Sequence, residues 1–208
     1  LTDGKVMGDE DCLTVNVQRP LMGDKLPVFV WIYGGGYNTG YSADEMYNGD
    51  AFARDGVMFV SFNYRTNILG FYDFTTYPGC EDFESNCGLS DQILALNWIH
   101  DNVEAFGGDP ERITIAGESA GGASVVNMLA CPGVKGTFQQ AIIESGLPNC
   151  MMTHQMAREN IDLFLEGMNW TEKDLPRLRK EDPRLFLVGN EYVAAKHQYK
   201  NPGMFLPG

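Results

Sequence analysis

A chain of 208 residues with 44% apolar content can bury one sizeable core, which argues for one globular domain, or a large piece of one, and against disorder. Its net charge of −13 argues against nucleic acid and anionic membrane surfaces as partners, since both attract basic proteins, and leaves small substrates open. No run is long and apolar enough for a transmembrane segment, the opening LTDGKVMGDEDCL has neither a basic nor an apolar leader region, and the missing initiator Met points to a natural start further upstream.

In chain order, CLTVNVQRP alternates with period two and stops at Pro20, which reads as a strand. PVFVWIY is a second strand, followed by a helix over Asp44 to Arg54 and a third strand, VMFVSFNY. LSDQILALNWIHDNVEAFGG then spaces Leu89, Ile93, Leu96, Ile99, Val103 and Phe106 by three and four, one apolar stripe on a helix that the Gly107-Gly108-Asp109-Pro110 cluster ends. RITIAG and QQAIIES are the fourth and fifth strands, with a helix between them that opens on Ala120, Gly121, Gly122 and Ala123. This alternation predicts an α/β class with a mostly parallel central sheet flanked by helices. Near residue 150 the composition turns helical and charged, interrupted by Pro176 and Pro183, so residues 1–150 form the α/β core and 151–208 a helical extension of the same domain.

Cys12, Cys80, Cys87, Cys131 and Cys150 fit no C-x-x-C spacing, and no metal site is expected. Cys80 and Cys87 flank the acidic EDFESN, a loop that a local disulfide can close, and the odd count leaves one thiol over or paired outside the chain. Asn169-Trp170-Thr171 is a glycosylation sequon only in a secreted protein. The cysteines and the sequon favour secretion, with a cytoplasmic location as the alternative.

The chemistry concentrates in TIAGESAGGASV. Gly117, Glu118, Ser119, Ala120 and Gly121 make G-x-S-x-G between a buried strand and a helix, the pattern of a nucleophile elbow. So sharp a turn strains the serine backbone, and side chains two residues either side would collide with strand and helix. The helix behind the serine offers free N–H groups and its positive dipole end to an anion. Upstream, Gly34, Gly35 and Gly36 follow an apolar strand where a hydrolase carries its oxyanion loop. The N–H groups of Gly35, Gly36 and Ala120 are the expected oxyanion hole, and Ser119 the nucleophile. The sequence alone also allows the glycines to be a loop without function.

The strings EDCLTVNV, VWIYGGGYNTG, YNGD, SFNYR, GLSDQILALNWIHDNVEAFGGDPERITIAGESAGGASV and QQAIIESGLPN are collinear with, and resemble, the type-B carboxylesterase and lipase family, which includes the cholinesterases. The resemblance implies an α/β-hydrolase fold and hydrolysis of carboxylic esters through an acyl-enzyme on Ser119, with a small-molecule ester as partner and no cofactor. It also implies an incomplete chain, an internal segment with N- and C-terminal parts missing, because family members begin well before EDC and place their acid and then their histidine far beyond the elbow. In secreted relatives the cysteine at Cys12 pairs with an upstream cysteine absent here.

The three histidines are consistent with that expectation. His100 precedes the serine inside the long helix, while His154 and His197 follow it among charged helical residues without a motif. Glu144 matches a structural segment of the family rather than its acid, and Ser145 is a weak candidate for a supporting hydrogen bond. Glu118 and Tyr37 are candidate substrate-pocket residues. In cholinesterase-like relatives the carboxylate before the serine helps shape a polar or cationic subsite, and Tyr37 and Tyr41 are aromatics that can line a pocket or sit in the core. Two functions remain: a serine carboxylesterase or lipase, and a non-catalytic adhesion or scaffold relative that keeps the fold. Ser119 and three uninterrupted glycines favour the enzyme.

Overall fold

The structure, a computed structural model, describes residues 8–9, 11–148 and 151–197. Its backbone contacts group the chain into two compact units. One comprises Leu13–Tyr64 and Leu89–Asn149, the other Leu1–Cys12, Arg65–Gly88 and Cys150–Gly208.

The first unit is built on five strands, β1 (Val15–Gln18), β2 (Leu26–Ile32), β3 (Met58–Phe62), β4 (Gly108–Glu118) and β5 (Gln140–Glu144), in the order β1-β3-β2-β4-β5. β1, β3 and β5 fall within their apolar runs, β2 begins one residue before PVFVWIY at Leu26, and β4 overruns RITIAG at both ends, from Gly108 to Glu118. β1 runs antiparallel to β3, and the other pairs are parallel, as the intervening helical crossovers require. Strand β2 buries alternate residues: Leu26, Val28, Val30 and Ile32 are each at most 8% exposed. Its other face carries Phe29 and Trp31. Phe29 stacks on Phe52 of helix α1 (Asp50–Arg54) at 4.5 Å, and Trp31 leans on Tyr47 at 5.7 Å. Strand β3 is buried at all five positions.

Helix α3 (Cys87–Asn102), numbered after the short α2 (Asn67–Phe71), covers the opposite face. Its Leu96 and Ile99 are buried, and Ile99 and Val103 lie over Val17 and Val60. The apolar stripe does not run its full expected length. The α-helix stops at Asn102 and tightens into a 3₁₀ turn over Val103–Phe106, which Gly107 closes at φ 83°. A tighter turn shifts residues relative to the 3.6-residue face, so Phe106 borders the same patch as Ile99 and Val103 but is 39% exposed there and packs on Trp98 at 6.2 Å. The helix expected over Asp44 to Arg54 is also broken, into a 3₁₀ turn at Glu45–Tyr47 and α1. The break is at Gly49, whose N–H donates to Gln18 Oε1 at 2.7 Å. A Cβ on Gly49 would lie 2.6 Å from Phe59 Cβ.

Strand β5 closes one edge of the sheet. Four of its five residues are exposed, including Ile142 and Ile143 at 43% and 41%.

The second unit is helical in its described residues: α2, α5 (His154–Met168) and α6 (Phe186–His197), with 3₁₀ turns at Glu172–Arg179 and Pro183–Leu185. The elements follow their local signals, with Thr153 Oγ1 capping α5 by accepting from Met156 N–H at 3.2 Å. Phe164 is fully buried, edge-on to Tyr72, Trp170 and Phe186 at 6.2 to 6.5 Å.

The local Cys80–Cys87 disulfide that the spacing allows is not formed, and Cys80 carries a free, buried thiol. Burial pushes that thiol up, against the lowering effect of Arg179. The acidic loop is held by Arg179 instead, which pairs with Asp82, donates to Gly79 O at 3.0 Å and lies 4.4 Å over the Phe83 ring. Cys87 Sγ donates to Glu84 O at 3.4 Å. Cys150 lies outside the described residues.

Candidate active site

Ser119 stands between the end of β4 and the start of helix α4 (Ala120–Ala130) with φ 57° and ψ −119°, a conformation that L-residues seldom adopt. Both of its backbone groups are engaged. Its N–H donates to Glu144 O at the end of β5 at 2.8 Å, and its carbonyl accepts from Ala123 N–H at 2.9 Å. The glycines around it are needed for close approach. A Cβ on Gly117 would lie 2.4 Å from Gly121 C, and one on Gly121 would lie 2.0 Å from Ile32 O, so β2, β4 and the first turn of α4 meet backbone to backbone. The side chain of Ser119 is half-buried, and its hydroxyl makes no hydrogen bond among the described residues.

The glycine loop lies against this turn. A Cβ on Gly34 would be 2.7 Å from Glu118 O and 3.3 Å from Ser119 Cβ. Gly35 and Gly36 follow at φ 107° and 61°, exposed, and the Gly35 carbonyl turns into the loop to accept from the N–H groups of Asn38 and Thr39, both at 3.1 Å. Among the described residues the N–H groups of Gly35 and Gly36 donate to nothing. Ala120 begins α4, so its N–H belongs to the first turn, which has no intrahelical acceptor.

Glu118 is exposed beside Ser119. Nearby, burial and then the carboxylates of Asp44 and Glu118 raise the Tyr47 phenol above its ordinary range, so negative charge gathers at this end of the sheet. Tyr37 is fully buried at φ 60°, and its hydroxyl is 3.1 Å from Ser124 Oγ on α4, whereas Tyr41 is 44% exposed. Sequence reasoning did not find the Tyr37–Ser124 bond or the acceptor at Glu144 O, since neither contact has a local signal.

Neither of the two described histidine side chains, those of His100 and His154, bonds to Ser119. The His100 ring pairs with its neighbour Asp101 at 3.1 Å, His154 opens α5 exposed in the helical unit, and His197 ends α6 with its side chain outside those described. Among the described residues no group of three His, Cys, Asp or Glu is arranged to hold a metal ion, and no helix is long and apolar enough to cross a membrane.

Comparison with known proteins gives consistent matches. A sequence model described as the carboxylesterase family matches residues 2–200. The para-nitrobenzyl esterase of Bacillus subtilis (strain 168) is 43% identical over 171 residues, covering 81% of this chain and 34% of its own length. The cholinesterase of Mus musculus is 43% identical over 193 residues, covering 88% and 32%. A solved structure of a PNB esterase superposes with a TM-score of 0.86 at 37% identity, over 96% of this chain and 42% of its own. The chain thus spans about a third of the length of the curated relatives it matches.

Proposed function

From the premise that this chain belongs to the carboxylesterase family, with an α/β-hydrolase fold of which it forms part, we propose that the full-length protein carrying it hydrolyses small-molecule carboxylic esters through an acyl-enzyme on Ser119. The observation that carries the proposal is the contact of the Gly34 backbone with Glu118 and Ser119, which brings a loop with two undonated N–H groups beside a strained serine.

In this mechanism Ser119 Oγ attacks the ester carbonyl, its proton passes to a histidine base, and negative charge develops on the carbonyl oxygen. The N–H groups of Gly35, Gly36 and Ala120 stabilise that charge, each such donor contributing about 2.7 to 4 kcal/mol in the transition state. Collapse, with the histidine giving its proton to the leaving oxygen, expels the alcohol and leaves the acyl group on Ser119. Water then attacks the acyl carbon and gives a proton to the same base, which returns it to Ser119 Oγ as the acid is released. The base and its orienting carboxylate lie in segments of the full-length protein outside these 208 residues. That reading is supported by the unengaged Ser119 hydroxyl and by the His100 ring, which pairs with Asp101. Glu118 contributes to the wall of the substrate pocket, with Tyr37 backing it from the core.

The test is labelling of the full-length protein with a fluorophosphonate, followed by peptide mapping. The expected adduct is on Ser119 and disappears in Ser119→Ala together with ester hydrolysis. Labelling or turnover that survives this substitution refutes the proposal.

A further inference from the structure

Three consecutive glycines have more conformational freedom than any other tripeptide, yet oxyanion donors act only when they are held in place before the charge forms. The structure contains two sets of tyrosine contacts at the two ends of this loop. Tyr33 and Tyr64 follow the ends of the adjacent strands β2 and β3, are 1% and 2% exposed, and stack with ring centroids 4.3 Å apart at 15°. Each reaches the backbone of the other. Tyr64 OH donates to Tyr33 O at 2.7 Å, while Tyr33 OH donates to Tyr64 O at 3.0 Å and accepts from Tyr64 N–H at 3.3 Å.

The Tyr33 carbonyl and the Gly34 N–H share one peptide plane, so the Tyr64 hydroxyl sets the direction in which the glycine loop leaves the sheet. The loop returns over the same ring, where a Cβ on Gly40 would lie 2.6 Å from Tyr33 Cδ2 and 2.9 Å from Gly34 O. Between these points Tyr37 turns inward at φ 60° and bonds Ser124, one turn into the helix that follows the nucleophile. Gly35 and Gly36 are therefore exposed between a fixed departure and a fixed buried side chain.

We propose that Tyr64 and the Tyr37–Ser124 pair are positioning residues that hold the Gly34–Gly36 loop in its oxyanion-stabilising conformation. The proposal rests on the assignment of that loop as the oxyanion hole. Burial holds the Tyr64 phenol well above its ordinary range, so the hydroxyl remains a donor under the conditions of ester hydrolysis.

The experiment uses the full-length protein and its Tyr64→Phe variant, with active sites counted by fluorophosphonate titration. Phenylalanine keeps the ring stack and removes the donor to Tyr33 O. The expected result is a kcat per titrated site lower by about 10- to 10²-fold with KM nearly unchanged, and a matching loss in the rate of phosphonylation. Fewer titratable sites with normal turnover per site would show a merely structural role and overturn the proposal. Should Tyr64→Phe not fold, Ser124→Ala carries the test by the same measurement, and unchanged turnover per site overturns it. A parent protein that turns over esters but takes the probe elsewhere than Ser119 refutes the underlying functional reading and removes this proposal with it.

Discussion

Replacing Gly121 by alanine adds a methyl group whose carbon would lie 2.0 Å from Ile32 O, 2.8 Å from Ile32 C and 3.0 Å from Tyr33 C. These are backbone atoms of a buried strand end, so no side chain can swing aside, and an ordinary carbon–oxygen contact requires a separation of more than 1 Å beyond this, on the order of the spacing in close-packed interiors. Overpacking of a core costs typically about 1–3 kcal/mol, and a clash with backbone belongs at the upper end. In a protein of its relatives' length, about three times this chain, that predicts a fall in Tm of roughly 2–3 °C. The displaced segment runs directly into Tyr33 and Gly34, so the loop and the elbow also separate. A misplacement of about 1 Å at reacting groups lowers turnover by about 10². The assay is thermal unfolding together with kcat per fluorophosphonate-titrated site, for Gly121→Ala beside its parent. A Tm indistinguishable from that of the parent and unchanged turnover would refute the reasoning that backbone contact between β2 and α4 sets the geometry of the elbow.

Gly36 gives the opposite balance: a Cβ there meets nothing within 4 Å, but its φ of 61° disfavours L-residues by about 1–2 kcal/mol. Gly36→Val in the full-length protein is therefore expected to fold with modestly lower stability in denaturant titration and to lose about 10² or more in kcat through the disturbed oxyanion donor. The 208-residue chain expressed alone, assayed on a short activated ester, is expected to hydrolyse it no faster than its Ser119→Ala variant if, as proposed, the base lies outside it. Vigorous hydrolysis abolished by that substitution would place a base within the chain. The same isolated chain exposes Ile142 and Ile143 on an edge strand, so Ile142→Lys should reduce its self-association in sedimentation, and an unchanged distribution would exclude β5 as the sticky edge. Hydrogen bonds from the Arg184 guanidinium and then from its backbone N–H hold the Asp182 carboxyl down at about 2. Because this pKa is depressed, the interaction is fully present above the ordinary carboxyl range and is lost as pH falls towards about 2. An NMR titration should show Arg184→Ala moving the midpoint upward.

The elements of the sheet and the elbow are local matters, and the sequence by itself determined them. Period-two and β-branched runs mark all five strands, because alternation on a pleated ribbon and burial are properties of consecutive residues. Gly117, Ser119 and Gly121 mark the turn, because a strained serine and a backbone approach of helix to strand exclude larger neighbours within the same five residues. Where a residue's state depends on partners far along the chain, only the tertiary structure decided it. β3 lies between β1 and β2, and β5 at the exposed edge, through pairings that no local pattern records. Phe106 ends partly exposed at the rim of its apolar stripe, where the helix tightens into a 3₁₀ turn before Gly107, and the helix expected over residues 44–54 breaks where Gly49 is pressed against Phe59 and Gln18. Cys80 and Cys87 suggest a bridge by spacing alone, whereas Arg179, almost a hundred residues on, supplies the contacts that hold their loop. The tyrosines are the sharpest case: Tyr33, Tyr37 and Tyr64 are indistinguishable in composition from the exposed Tyr41, and only folding sets Tyr64 against the carbonyl that begins the glycine loop and Tyr37 against Ser124. A hydrogen bond between residues 31 or 87 positions apart is a consequence of how strands and helices pack, and that information is not in either residue's neighbourhood.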